Sequence, residues 1–436
     1  MPSTEELIAI KEQVEQQFLD QPGVTGVDVG YKWVGGQRTD QLAVRIHVER
    51  KTDDIPPEQR VPPEINGALT DVLERKYELH VMARPLEVTL QADTAHYSPL
   101  EGGISMGPSR VIGGSVYAGT LGAIVIDNST QKRVALTNFH VAAVDDAWAV
   151  GNRMVQPSQI DTGTVPSDEF GAILRATLSA AVDGAVISID SSKMTSCEVV
   201  DIGMVQGTKN AVLGMAVRKR GRTTGLTYGS VDGIAASVTV DYGDNLGQRT
   251  LSNQVSIAAD TSRNTTFSDH GDSGSVIVDD SGNVVALLFA GSGSNTVGNP
   301  ITDVLTELGI SMCIGKPMIK NVKERHKDVA KDKDGLKDLK DYAKEKEIIR
   351  EGLLNPEFPA GLPGLSGGRA SLELRLSAVE AQLAQLGNFI QPDERPDLRG
   401  TAFALSEEQT EMMRAELERQ VAEAMAAKTA FDTPPA

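Results

Sequence analysis

The chain has 436 residues, 40% of them hydrophobic and 23% charged, which suits a globular protein of two or three domains. Its formal net charge of −18 excludes nucleic acid and anionic membranes as partners, because both need a positive surface field. Two cysteines, Cys197 and Cys313, are too few for a secreted disulfide framework.

The first twenty residues carry acids where a signal peptide carries basic residues and an apolar run, so a cytoplasmic protein is expected. No stretch of about eighteen apolar residues is present, and no membrane span is expected. Residues 4–20 predict an amphipathic helix capped by Ser3 or Thr4. The alternating runs GVTGVDVGYKWV and QLAVRIHVERK, joined at Gly35 and Gly36, predict a hairpin. A proline-punctuated loop and the strand-like YELHVMA complete a small α/β domain over residues 1–90.

From 91 to 315 short apolar runs alternate with Gly, Asp, Asn and Ser, the pattern of a β sandwich or barrel. TDVLTELGI, after Pro300, predicts one helix. Residues 316–350 form a charge-dense helix with 12 Lys plus Arg against 8 Asp plus Glu, and a Pro/Gly-rich breaker extends this linker to about 370. Over 371–436, Leu372, Leu376, Val379, Leu383, Leu386 and Ile390 step by 4 and 3, the seam of a short coiled coil. Ser406 and Gln409 form a capping box for a last helix. A homo-oligomer is expected from the seam, with trimer and hexamer both open.

Hydrolysis through a serine needs a base within reach, a carboxylate that fixes the base, and backbone donors for the oxyanion. Gly271-Asp272-Ser273-Gly274 lies between a polar loop and the strand SVIVD, so its amides can converge on one concavity. This makes Ser273 the candidate nucleophile, with the amides of Gly271 and Ser273 as oxyanion donors. His140, at the end of the strand RVALTNF, is the candidate base; His47, His80, His96, His270 and His326 lack that setting. Asp183, entering the apolar strand VDGAVISI, is the candidate orienting carboxylate, ahead of Asp190, Asp145 and Asp146.

The order His140, Asp183, Ser273, with gaps of 43 and 90 residues, resembles the trypsin-like (chymotrypsin-fold) serine peptidases. TNFHV is similar to the motif of Deg/HtrA-type members, and GDSGS to the trypsin form. The phrases GVDVGYK, LAVRIHVERK, GGISMG, AGTLGAIV, GRTTGLTYGSV and GNVVALLFAGS resemble bacterial relatives of the plant narrow-leaf-type trypsin-like proteins, over about residues 20–315. The resemblance implies a mainly β fold. Its parts are a double six-stranded β-barrel, the N-terminal α/β domain and a C-terminal helical extension. It implies a serine endopeptidase acting on protein or peptide through an acyl-enzyme, with regulation by assembly or a partner left open. A protease-fold binding or assembly protein with latent or no activity is the alternative.

By the same resemblance Phe267 lines the specificity pocket, favouring an apolar or small substrate side chain, and Ala290-Gly291-Ser292 pairs with the substrate backbone. Trypsins seat the aspartate before the serine on a freed α-amine. Asp272 has a whole segment upstream and needs another donor. No Cys/His/Asp cluster has metal spacing, and Gly291, Gly293 and Gly298 do not form a dinucleotide fingerprint. No cofactor is expected.

Overall fold

The computed structural model describes residues 2–52, 55–85, 92–243, 245–293 and 295–314. The charged helix expected over 316–350, the linker to 370, the expected heptad seam and the helix expected from Ser406 lie outside the described residues.

The described chain is mainly β, and it opens with one helix, Thr4–Leu19. Ser3 caps it: its hydroxyl accepts from the Glu6 amide while the Glu6 carboxylate accepts from the Ser3 amide. Glu5 and Glu6 in the first turn also meet the positive end of the helix dipole. Leu7, Val14 and Phe18 turn inward onto Val27, Val29, Val44 and Ile46 of the hairpin Val24–Val34 and Gln37–Val48. Burying each such side chain contributes roughly 1.5–3 kcal/mol.

This hairpin is continuous with the serine-bearing half of the chain. Val24–Val34 pairs antiparallel with Gly225–Asp241, so the N-terminal strands extend a twelve-stranded sheet whose other members come from that half. There, Ala216–Gly221 pairs with both Val276–Asp279 and Gly225–Asp241. Asn283–Ser292, Asn295–Pro300 and Gln248–Ala259 complete the circuit, so six strands close on themselves.

A nine-stranded sheet carries the other half and includes Arg133–Thr137 paired antiparallel with Asp183–Ile189. Ala123, Leu136 and Val186 of this sheet share one core with Val276, Leu287 and the helix Ile301–Leu308. That shared core holds the two sheets together.

Cys197 and Cys313, 116 residues apart, are joined as a disulfide with their Cα atoms 5.4 Å apart. No covalent link between them was expected from the sequence. Because such links persist in oxidising compartments, the cytoplasmic expectation gains no support from this pair. Among the described residues no helix is long and apolar enough to cross a membrane.

Candidate active site

The strand Arg133–Thr137 runs into a single turn of helix, Phe139–Ala142, which swings His140 out of the sheet. Asn138, at the joint, donates from Nδ2 to the Asp183 carbonyl at 2.8 Å and so ties the turn to the neighbouring strand. Asp183 opens that strand and is fully buried. Its Oδ2 lies 2.5 Å from His140 Nδ1, and its Oδ1 accepts from the His140 amide at 3.3 Å.

Tyr242 was not anticipated from sequence. Its hydroxyl donates to Asp183 Oδ2 at 2.8 Å. Burial first, and then the Asp183 charge, push the phenol well above its ordinary pKa, so it stays a donor. With Nδ1–H committed to Asp183, His140 Nε2 is left as the acceptor facing Ser273 Oγ at 2.8 Å. The rival carboxylates are engaged elsewhere: Asp190 with Arg153 at 3.0 Å, Asp145 with Arg110 at 2.6 Å. Asp146 accepts from Asn245 at 3.3 Å.

Ser273 sits in the turn before Val276–Asp279 and is fully buried. Gly271 has φ of +101°, and a Cβ there would fall 2.2 Å from Thr223 Oγ1. Only glycine fits this backbone.

The missing cation for Asp272 is Lys219, whose Nζ lies 3.4 Å from Asp272 Oδ2, both side chains being fully buried. Asp272 also accepts from the amides of Thr223, Thr224 and Asp269 and from the Thr224 hydroxyl. Burial alone would raise its pKa, but Lys219 and these donors reverse that and hold the carboxyl below its ordinary value. Lys219 is pulled down by the same burial, opposed by the Asp272 charge.

The two amides expected as oxyanion donors are already occupied. The amides of Gly271 and Ser273 donate to the backbone carbonyl of His80, at 2.6 and 3.2 Å. His80 itself donates its amide to the Phe289 carbonyl at 3.2 Å. The two residues before it pair antiparallel with the predicted substrate strand, Leu79 opposite Ala290 and Glu78 opposite Gly291. Ser292 pairs instead with Asn295 in its own hairpin.

Phe267 is buried among Val217, Ile257 and Leu288, and its carbonyl accepts from the Thr227 hydroxyl. The polar contact to the His80 ring comes from Ser268, whose Oγ is 2.9 Å from Nδ1 and 2.5 Å from Thr296 Oγ1. Beside His140 an open cleft of about 460 Å³ remains, lined by Leu79, Val81, Tyr117, Tyr242 and Leu246. Among the described residues no group of three His, Cys, Asp or Glu side chains is arranged to hold a metal.

The resemblance to trypsin-like serine peptidases read from the motifs extends to whole sequences. The chain is similar to streptogrisin-A of Streptomyces griseus, 29% identical over 232 residues, covering 52% of this chain and 65% of that protein. It is also 27% identical over 212 residues to glutamyl endopeptidase 2 of the same organism, covering 46% of this chain and 97% of that one. Thermobifida fusca protease A has a solved structure that covers 49% of this chain at 20% identity, with a TM-score of 0.37. No family model matches the chain. By its curated relatives and its motifs alike, then, the sequence resembles trypsin-like serine peptidases.

Proposed function

We propose that this protein is a serine endopeptidase in which Ser273 is the nucleophile, His140 the general base and Asp183 the carboxylate that orients it. The observation that carries the reading is the continuous line from Asp183 Oδ2 through both His140 nitrogens to Ser273 Oγ, spanned by contacts of 2.5 and 2.8 Å. In this reading Ser273 Oγ adds to a peptide carbonyl while His140 Nε2 takes its proton. Gly271 and Ser273 amides hold the oxyanion, and His140 then protonates the departing amine. Water hydrolyses the ester by the same route in reverse. The closed six-strand circuit and the nine-stranded sheet are read as the two barrels of a chymotrypsin-like arrangement. The substrate is peptide or protein.

Ser273→Ala is expected to lower hydrolysis of a peptide library by about 10⁴- to 10⁶-fold and to abolish labelling by a fluorophosphonate, with the unfolding midpoint kept. Hydrolysis that survives in this variant would sink the assignment. Tyr242 acts as a positioning residue through Asp183. Tyr242→Phe removes one hydrogen bond to a charged group, worth about 1.5–3 kcal/mol, and is expected to cut kcat roughly 10- to 100-fold with KM little changed. An unchanged kcat would remove Tyr242 from the site.

A further inference from the structure

The segment Tyr77–Val81 has no place in the hydrolytic mechanism, yet it fills the site. Its backbone makes the contacts of an acyl-side substrate strand. The His80 carbonyl takes both oxyanion amides, its amide reaches Phe289, and Leu79 and Glu78 face Ala290 and Gly291. Beyond His80 the chain does not turn away. Val81 lines the cleft beside His140, and Met82–Pro85 pairs antiparallel with Ser115–Leu121, Met82 opposite Ala118. The segment therefore enters along one sheet and leaves along the other.

The His80 ring is 7% exposed and hydrogen-bonds the Ser268 hydroxyl. It passes so close to Gly291 that a Cβ there would lie 2.3 Å from the imidazole. Asp272, a buried carboxylate that acts on this ring, is already engaged by Lys219 and four other donors, so its charge is not free for a cationic side chain.

We propose that Glu78-Leu79-His80-Val81 is a tethered, substrate-like occupant of the active site, and that the pocket of Ser268, Thr296 and Gly291 recognises a neutral histidine at the residue whose carbonyl enters the oxyanion hole. This deepens the endopeptidase reading and rests on it: the resting enzyme is closed by its own chain, and the sequence that closes it is the sequence it reads. Anchors on both sides of the His80–Val81 bond favour an intact plug. If the bond were cut, Tyr77 and Met82 would hold the new ends together, and resealing would compete with hydrolysis. Tyr77 is fixed by its hydroxyl 2.7 Å from His47 Nδ1, deep in the N-terminal hairpin.

The recognised imidazole is neutral because burial first, then His270, lowers its pKa to about 4, with His140 adding to this and Asp272 and Asp269 opposing it. The released ring titrates near its ordinary value of 6.5. Between these values the released form binds more protons, so docking weakens as pH falls, by about 30-fold at pH 5 relative to pH 8.

The test uses the full chain. Fluorophosphonate labelling of Ser273 is timed for the unaltered protein, for His80→Gly, and for Glu78→Pro, which removes the amide hydrogen opposite Gly291 without touching the buried ring. Both variants are expected to label at least about tenfold faster at pH 8, and the ratio of the His80→Gly rate to the unaltered rate is expected to shrink from pH 8 to pH 5. Either variant, supplied with the free peptide Tyr-Glu-Leu-His-Val-Met, is expected to cut it between His and Val, and to spare the Lys replacement of that His. Equal labelling rates in folded wild-type and variant proteins would overturn the tethered occupant. Cleavage of other peptides but never this one would overturn the histidine pocket. Absence of labelling and of hydrolysis in every form would instead strike the endopeptidase reading itself.

Discussion

Lys219→Met is expected to destabilise the protein by about 3–5 kcal/mol and to lower the rate of hydrolysis by about 100- to 1000-fold. The stability loss follows from charge. Asp272 is fully buried, and removing its cation leaves an ionised carboxylate with amide and hydroxyl donors alone. The rate loss follows from position, because Asp272 stands between the two residues whose amides are proposed to hold the oxyanion. If its side chain moves toward water, the turn from Gly271 to Ser273 moves with it. The two effects separate in the double variant Lys219→Met, Asp272→Asn. With no buried charge left, most of the stability is expected to return, whereas the rate is not, since the turn has lost its anchor. Denaturant midpoints and initial rates on one peptide decide this; a single variant with unaltered rate would remove Lys219 from the role assigned to it.

The second large effect lies away from the serine. Arg45 is fully buried and serves two acids at once, donating to Asp28 from Nε at 2.6 Å and to Asp232 from Nη1 at 2.7 Å. Arg75 Nη2 adds a contact to Asp232 at 2.9 Å. Burial would raise both carboxyls, but the guanidinium groups reverse it and hold Asp28 far below, and Asp232 below, the usual range. Arg45→Met leaves Asp232 to Arg75 and Asp28 to the His47 ring at 3.3 Å and a longer Arg75 contact at 3.9 Å, and a loss of at least about 3–5 kcal/mol is expected in equilibrium unfolding. The sign of the pH dependence is fixed by the depressed pKa values. Stability from these acids is full above about pH 4 and is lost as pH falls through the lowered folded values. In Arg45→Met that acid-side loss should begin at higher pH. A variant as stable as the parent, with the same acid limb, would refute this account of the cluster.

These two sites also mark what could be read from the residues. Ser273 and His140 were legible because glycine chemistry and strand ends are local, and Asp183 because a carboxylate entering an apolar strand needs a partner. Asp28, Arg45 and His47 lie in phrases that carried the family resemblance, but nothing in them announces burial. Only the pairing of Val24–Val34 with Gly225–Asp241 brings Asp232 to Arg45.

Lys219 has a faint signal. In AVRKRG a strand must turn either Lys219 or its flanking arginines inward, and the turned one needs an acid. Choosing Asp272 as that acid takes the tertiary structure. Tyr242 and His80 had no local signal at all. YELHVMA reads as a strand, yet which sheet edge it joins depends on long-range pairing that side-chain alternation cannot specify. Tertiary context likewise decided Phe267, whose place in chain order suggested the pocket, while Ser268 beside it makes the polar contact there.

The continuity of the large sheet has a practical side. A shortened protein lacking residues 1–76 would strip the partner from Gly225–Asp241 and expose a long row of unpaired amides and carbonyls. It would also strand Asp232 without either guanidinium. Such a bare edge invites strand-to-strand association between molecules, so removing residues 1–76 is expected to yield aggregates rather than an unlocked enzyme.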